Sequence, residues 1–147
     1  MIQFTARMRA DINEAFVERH PILVCAVTPE GTPAVSFRGS AQTFAPDGLA
    51  FWVRNPGGSS TLRAIAVHPV VTAVYANMAE RRHYTMTGRA RLARDASETA
   101  QVFENSATAE QERDPERTGV AVIVELDAVR GRGVEGPVQM SREDAEG

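Results

Sequence analysis

Lysine is absent from this sequence of 147 residues, and all 16 basic residues are arginines. Any phosphate site must therefore be built from guanidinium groups, hydroxyl groups and backbone amides. Acidic residues outnumber basic ones, which gives a net charge of -3. Nucleic-acid-binding domains usually carry a net basic surface, so this composition argues against general nucleic-acid binding.

Cysteine occurs once, as Cys25 in the apolar run ILVCAV, so an internal disulfide bond is excluded. That apolar setting predicts a buried thiol rather than a catalytic one. His20, His68 and His83 are far apart and lack the spacing of a metal site. The sequence also has no nucleophile-elbow serine and no prominent carboxylate pair, which argues against the common hydrolytic mechanisms.

No apolar run approaches the 18 or so residues that a membrane-spanning helix needs. The N-terminal segment MIQFTARMRADINEAF also lacks the apolar core of a signal peptide, so we expect a cytoplasmic protein without a membrane partner. The length suits one domain, which we place at residues 1–136. The polar residues 137–147 are expected to form a disordered tail.

Hydrophobic patterning predicts a chain rich in β-strands. Seven segments have the apolar runs or alternation of strands: residues 22–27, 33–37, 41–44, 49–53, 70–76, 83–92 and 119–129. Thr5, Ser59 or Ser60, and Asp95 are the expected N-caps of short helices, and residues 106–118 are expected to form an exposed loop. The pattern predicts an α+β fold, mostly antiparallel, in which six to seven strands form a small barrel with two to three short helices.

Residues 33–77 concentrate the groups that can hold a phosphorylated ligand. The segment GGSST at residues 57–61 opens a helix, where free backbone amides and hydroxyl groups meet the positive end of the helix dipole. Arg54 lies just before this segment, and Gly39 lets the backbone approach a ligand closely. A neighbouring extended segment adds three polar side chains: Ser36, Arg38 and Ser40. Together these residues predict an anion pocket, although each alone also fits an ordinary cap or a solvated surface residue.

Three stretches, GTPAVSFRGSAQTFAPDGLAFW, SSTLRAIAVHPVVTAVYAN and HYTMTGRARL, together resemble the pyridoxamine 5'-phosphate oxidase-like, FMN-binding split β-barrel superfamily. The resemblance covers roughly residues 22–129. It implies a split β-barrel and a homodimer with two flavin sites at the subunit interface. In such a dimer both chains contact the isoalloxazine ring.

The resemblance also implies roles for particular residues. It places Trp52 and Val53 beside the flavin ring, and His83 at the position of a glutamine that touches the cofactor in the oxidases. The ribityl and phosphate side of FMN would be lined by Ser36, Phe37, Arg38, Gly39 and Ser40. The phosphate would be held at the helix start by Ser59, Ser60 and Thr61.

The chain departs from the oxidases in two places. They carry an Arg-Lys pair where this chain has Ser60 and Thr61, which leaves Arg54 and Arg63 as candidates to compensate. The chain also lacks the longer C-terminal region with which those enzymes recognise a pyridoxal substrate, so pyridoxamine phosphate oxidation is not expected. The segment Arg130-Gly131-Arg132 is either the partner chain's contribution to the phosphate or a solvated strand end.

The resemblance therefore implies an FMN-dependent oxidoreductase that passes hydride or electrons between NAD(P)H and an undetermined small acceptor. No catalytic residue is assigned. Two alternatives stay open. One is a reductase of the same fold that uses a deazaflavin coenzyme, whose longer anionic tail suits hydroxyl groups and arginines. The other is a non-enzymatic flavin-binding or stress-related protein that has lost tight flavin use.

Overall fold

A computed structural model describes residues 1–142, which contain eight strands and four α-helices. The helices are α1 (Ala6–Asn13), α2 (Ser60–Val67), α3 (Ala96–Asn105) and α4 (Thr108–Gln111), and a 3-10 turn covers Pro56–Gly58. The strands are β1 (Ile22–Val27), β2 (Pro33–Arg38), β3 (Gln42–Phe44), β4 (Gly48–Val53), β5 (Val70–Asn77), β6 (Arg82–Leu92), β7 (Val120–Gly133) and β8 (Gly136–Ser141).

All eight strands belong to one antiparallel sheet in the order β2-β1-β5-β6-β7-β4-β3, with β8 paired to β7. On one edge of β7, its first half pairs with β4 and its second half with β8. On the other edge, β7 pairs with β6 along most of its length. The register of β6 against β7 shifts between Thr87 and Gly88. A Cβ at Gly88 would overlap the backbone oxygen of Glu125, so this close approach requires glycine. The predicted α+β, mostly antiparallel split barrel is confirmed.

Side-chain caps fix where three of the helices begin. Thr5 Oγ1 accepts a hydrogen bond from the Met8 amide at 3.1 Å, and Ser59 Oγ accepts one from the Leu62 amide at 3.1 Å. Asp95 Oδ1 accepts the third from the backbone N–H of residue 98 at 2.9 Å. These contacts confirm the predicted caps, and α2 packs against β1 and β2.

Two apolar clusters hold the sheet. The larger one lies inside the barrel beneath α1 and α2. The smaller one lies on the other side of β4 and β7, where α3 contributes Val102 and Phe103 against Trp52 and Ile123. Because β4 and the first half of β7 are covered on both faces, their sequences are continuous apolar runs rather than alternating ones.

The structure differs from the sequence prediction at the C-terminal end. Residues 136–141 form β8, whereas a disordered tail was predicted from residue 137. The turn at Val134 and Glu135 folds the chain back onto β7, where Val138 and Met140 pack against the main cluster. Two half-buried apolar side chains in a polar segment are too weak a pattern to predict a strand. The rest of that prediction, for residues 143–147, lies outside the described residues.

Residues 106–118 also differ from the predicted exposed loop, because they include the single-turn helix α4. Within residues 1–142, no helix is both long and apolar enough to cross a membrane.

Candidate anion-binding site

The end of β2 meets the start of α2 at the open side of the barrel. Alternate residues of β2 face inward, so Ser36 and Arg38 share a face and both reach Thr61 in the first turn of α2. Arg38 Nη2 donates to Thr61 Oγ1 at 3.0 Å, and Ser36 Oγ lies 3.4 Å from the same oxygen. The structure thus brings together three of the residues that the sequence assigned to phosphate binding.

A cavity of about 320 Å³ opens beside these contacts. Its walls come from the end of β2, the end of β4 and the loop that leads into α2: Arg38, Val53, Arg54, Asn55, Gly58, Ser59 and Ser60. Two guanidinium groups face one helix start, where the first backbone amides have no partner within the helix. Positive charge and free donors therefore converge on one small volume, which is the arrangement that binds an anion.

Arg38 is the unusual group in this cavity. Its guanidinium lies over the Phe51 ring, 5.4 Å from the ring centroid, and its Nε is buried with no hydrogen-bond partner among the described residues. Burial and then the nearby charge of Arg54 lower the pKa of Arg38, while the Glu110 carboxylate acts in the opposite direction. A buried donor without a partner costs free energy, so an anion at this position would satisfy both Nε and the excess positive charge.

Gly39 lies where β2 approaches α4. A Cβ at this position would be 2.6 Å from Glu110 Oε1 and 2.7 Å from Phe16 Cδ2, so a side chain here would have to displace these two side chains. Glu110 was missed in the sequence because it belongs to the segment predicted as a loop. Asn55 was missed as a lining residue, although it follows Arg54 directly, whereas Gly58 belongs to the predicted GGSST segment.

Two residues that the sequence assigned to the flavin lie outside this cavity. Trp52 points to the far side of β4, where its indole Nε1 donates to Asp114 Oδ2 at 2.8 Å. Its ring packs edge-on against the Phe103 ring, with the two centroids 5.1 Å apart. Ser40 Oγ accepts from the Trp52 amide at 2.7 Å and donates to the Trp52 carbonyl at 3.2 Å. Neither side chain lines the cavity: Trp52 packs in the layer between β4 and α3, and the Ser40 hydroxyl binds the Trp52 backbone.

Asp114 anchors that layer. Burial opposes ionisation of its carboxyl group, but donors from the Thr118 backbone, the Trp52 indole, and the backbone of Gly119 outweigh burial and hold the pKa at about 2. The carboxylate therefore ties β4 to the segment that precedes β7. This role explains the burial of Trp52 without any ligand.

Phe37 and His83 lie on the outer face of the sheet, away from the cavity. Phe37 pairs with Leu23, which is in register with Val74 and through it with Thr85, so Phe37 belongs to one row across four strands. His83 is two residues before Thr85 on the same face. Neither residue lines the cavity at Arg38.

Of the two arginines that were candidates to compensate for the missing basic pair, only Arg54 lines the cavity. Arg63 points away and donates to Glu30 Oε1 at 2.9 Å. Ser59 caps α2, and Ser60 is exposed at the cavity wall.

The chain belongs to the pyridoxamine 5'-phosphate oxidase family, whose sequence profile matches residues 8–134. No curated protein matches significantly.

Solved structures share the fold at low sequence identity. HupZ from Group A Streptococcus is 14% identical, with 92% of this chain and 99% of that chain covered and a TM-score of 0.67. A pyridoxamine 5'-phosphate oxidase-related, FMN binding protein from Nostoc punctiforme is 13% identical, with 90% and 92% covered and a TM-score of 0.64. A heme binding protein from Mycobacterium smegmatis is 14% identical, with 97% and 60% covered and a TM-score of 0.67.

Proposed function

We propose that the cavity at Arg38 holds the phosphate of FMN, and that the protein is an oxidoreductase that passes hydride or electrons between a nicotinamide cofactor and a small acceptor. The observation that carries this proposal is the buried Nε of Arg38 beside the start of α2, which has no hydrogen-bond partner within residues 1–142. Membership of the family supports it, as does the similarity to a solved protein described as FMN binding.

The residues present fit a phosphate monoester. The cavity volume of about 320 Å³ is at the small end of the range for ligand sites, which suits the phosphorylated end of a flavin rather than the whole molecule. Thr61 replaces one of the basic residues of the oxidases, but it is buried and binds Arg38. Positive charge therefore comes from β2 and from Arg54 after β4, instead of from α2.

Bound FMN would supply the redox chemistry, and the chain would supply binding and orientation. Arg38 and Arg54 would neutralise the phosphate, and the first amides of α2 would donate to its oxygens. Thr61 holds Arg38 in place by accepting its hydrogen bond, and Ser36 contacts the same Thr61 oxygen. No side chain of the cavity is assigned to proton transfer.

Titration of the purified protein with FMN tests this proposal. We expect quenching or a spectral shift of the flavin with saturation at micromolar concentrations. Riboflavin, which lacks the phosphate, should bind more weakly because it makes no contact with the two arginines. An absence of any flavin signal at these concentrations would contradict FMN binding, and NAD(P)H consumption with FMN present would support the oxidoreductase activity.

The same titration separates the alternatives. Arg54 is exposed at the edge of the cavity, where the longer anionic tail of a deazaflavin coenzyme would extend. Tighter binding of that coenzyme than of FMN would favour the deazaflavin-dependent reductase. Hemin is a useful third ligand because one structural neighbour is a heme binding protein. Flavin binding without NAD(P)H consumption would favour the non-enzymatic role.

We also propose that the protein is a homodimer joined through the outer face of β1, β2 and β5. Apolar side chains stay exposed on these adjacent strands: Val27, Val35, Phe37 and Val70. Contiguous exposed apolar surface of this kind marks an interaction site, and a second copy of the chain offers a matching surface.

Light scattering tests the dimer. We expect twice the chain mass of 16.0 kDa for the wild type and a shift toward the monomer for Phe37→Glu. Met78→Glu is the matched control, since Met78 is equally exposed but lies in the turn between β5 and β6. A monomeric wild type, or equal effects of the two substitutions, would contradict this interface.

A further inference from the structure

The Glu110 carboxylate, on α4, lies against the backbone of the residue that follows Arg38. A Cβ on Gly39 would be only 2.6 Å from Glu110 Oε1, so α4 approaches the end of β2 closely at this glycine. Burial and then the positive charge of Arg54 lower the pKa of Arg38, and the negative charge of Glu110 raises it. The cavity at Arg38 therefore has an acidic neighbour on the α4 side as well as a basic one after β4.

The Glu110 carboxylate has few partners of its own. Its side chain is 14% exposed, and within residues 1–142 it accepts no hydrogen bond. Its one ion pair in that part of the chain joins Oε1 to Arg113 Nη1 at 3.9 Å, and the Arg113 side chain is 59% exposed. An exposed pair at that distance contributes little, whereas a largely shielded carboxylate normally has close donors. Glu110 thus retains unused capacity to balance a nearby positive charge.

Arg38 has the complementary deficit. Its Nη2 donates to Thr61, but its buried Nε has no partner within residues 1–142, and Arg38 and Glu110 form no ion pair. The buried Asp11 carboxylate shows the contrast, because it accepts two hydrogen bonds directly from Arg82. At the cavity the two charges stay apart, which leaves the Arg38 donor available to an external anion.

We propose that Glu110 is the counter-charge of Arg38 in the empty protein, and that this positioning residue limits how tightly the cavity binds an anion. A bound phosphate takes over the balancing of Arg38 and is repelled by the carboxylate that it replaces in that role. Binding is then an exchange of counter-charges, which suits a phosphorylated ligand that is released and rebound. Only the identity of the anion as the phosphate of FMN rests on the proposed function.

The size of the effect follows from the incomplete screening of Glu110. Charges closer than a Debye length, about 10 Å at 0.1 M salt, are not fully screened, and shielded charges are screened less than exposed ones. Removing this negative charge should therefore strengthen phosphate binding about three- to tenfold. Because affinity changes within one site mostly alter dissociation, the ligand should also leave more slowly, by a similar factor.

Calorimetric titration with inorganic phosphate tests the role of Glu110. We expect Glu110→Gln to bind phosphate about three- to tenfold more tightly than the wild type, and Glu110→Asp to stay closer to the wild type because it keeps the charge. Glu112→Gln is the matched control, since it removes the same charge from an exposed position two residues along, and it should change binding less than twofold. A substitution that merely loosened α4 would weaken binding, so a gain in affinity identifies the charge.

A double-mutant cycle without any ligand tests the pairing directly. In phosphate-free buffer, Glu110→Gln should lower the midpoint of denaturant unfolding, because Arg38 then lacks its counter-charge. In the Arg38→Gln background the same change should have less than half that effect, since the positive charge is already gone. Equal effects of Glu110→Gln in the two backgrounds would overturn the assignment of Glu110 to Arg38.

The outcomes distinguish this role from the proposed cofactor. Equal phosphate affinities of the wild type and Glu110→Gln, or no phosphate binding by either, would overturn the role of Glu110 whatever FMN does. A gain in phosphate affinity without any FMN binding would contradict the proposed cofactor and support the counter-charge. With FMN, Glu110→Gln should tighten binding and slow release while riboflavin affinity stays the same. Equal gains for FMN and riboflavin would overturn an action of Glu110 on the phosphate.

Discussion

Replacing Asp11 with asparagine is expected to lower the free energy of unfolding by about 3–5 kcal/mol. The Asp11 carboxylate has no exposed surface and accepts hydrogen bonds from Arg82 Nε and Nη2 at 3.1 and 3.2 Å and from the Tyr84 hydroxyl at 2.6 Å. An amide carries no charge and offers one acceptor oxygen. The Arg82 side chain, which is 12% exposed, would then be a nearly buried cation without a counter-charge.

Denaturant unfolding of the wild type and the variant measures this loss. Arg7→Gln is the control, because Arg7 also pairs with Asp11 but its side chain is 42% exposed. Exposed ion pairs contribute little, so we expect the control to lose less than about 1 kcal/mol. A free energy of unfolding for Asp11→Asn within about 1 kcal/mol of the wild-type value would contradict the expected cost of leaving Arg82 without a counter-charge.

The same carboxylate predicts a pH dependence. Burial opposes ionisation of Asp11, but hydrogen bonds from Tyr84 and Arg82 outweigh burial and lower the pKa from its usual 3.8. Folding therefore favours the ionised form, and this contribution to stability is present above the usual pKa and lost as the pH falls below it. The difference in stability between the wild type and Asp11→Asn should be smaller at pH 3 than at pH 7. Equal differences at the two pH values would exclude the charge as the source.

Local chemistry made most of the fold predictable from the sequence. The caps at Thr5, Ser59 and Asp95 depend on residues three positions away, and the strands at 22–27 and 70–77 are apolar runs bounded by turns. The parts that were missed depend on distant partners. β8 exists because β7 offers a free edge beyond the end of β4, and nothing within residues 136–141 encodes that edge.

The candidate site was predictable only as a set of elements. The alternation along β2 separates the inward Ser36 and Arg38 from the outward Phe37, because one face of that strand is exposed. The same reasoning fails for Trp52 and Val53, because β4 is buried on both faces and its sequence carries no alternation. Trp52 is held in the far layer by residues distant in the chain, Phe103 and Asp114, the second of which is 62 residues away.

Replacing Arg38 with glutamine is expected to weaken FMN binding by about 10- to 100-fold. The change removes the charged donors that face the cavity, and hydrogen bonds to charged groups contribute about 1.5–3 kcal/mol. Riboflavin binding should change less than about threefold, because riboflavin has no phosphate for Arg38 to contact and loses less than about 0.7 kcal/mol. Fluorescence titration of both flavins with the wild type and the variant measures the two effects side by side.

Arg63→Gln is the matched control for Arg38→Gln. Arg63 lies on α2 itself but points to Glu30 on the surface, so its loss should leave FMN binding unchanged. Arg54→Gln should weaken FMN binding less than Arg38→Gln does, because Arg54 is exposed and solvent screens its charge. Equal losses of FMN and riboflavin affinity in Arg38→Gln, with an unchanged unfolding midpoint, would place Arg38 at the ring rather than at the phosphate. Unchanged FMN binding would remove the phosphate from this cavity, since no other residue of its wall has a buried donor without a partner among the described residues.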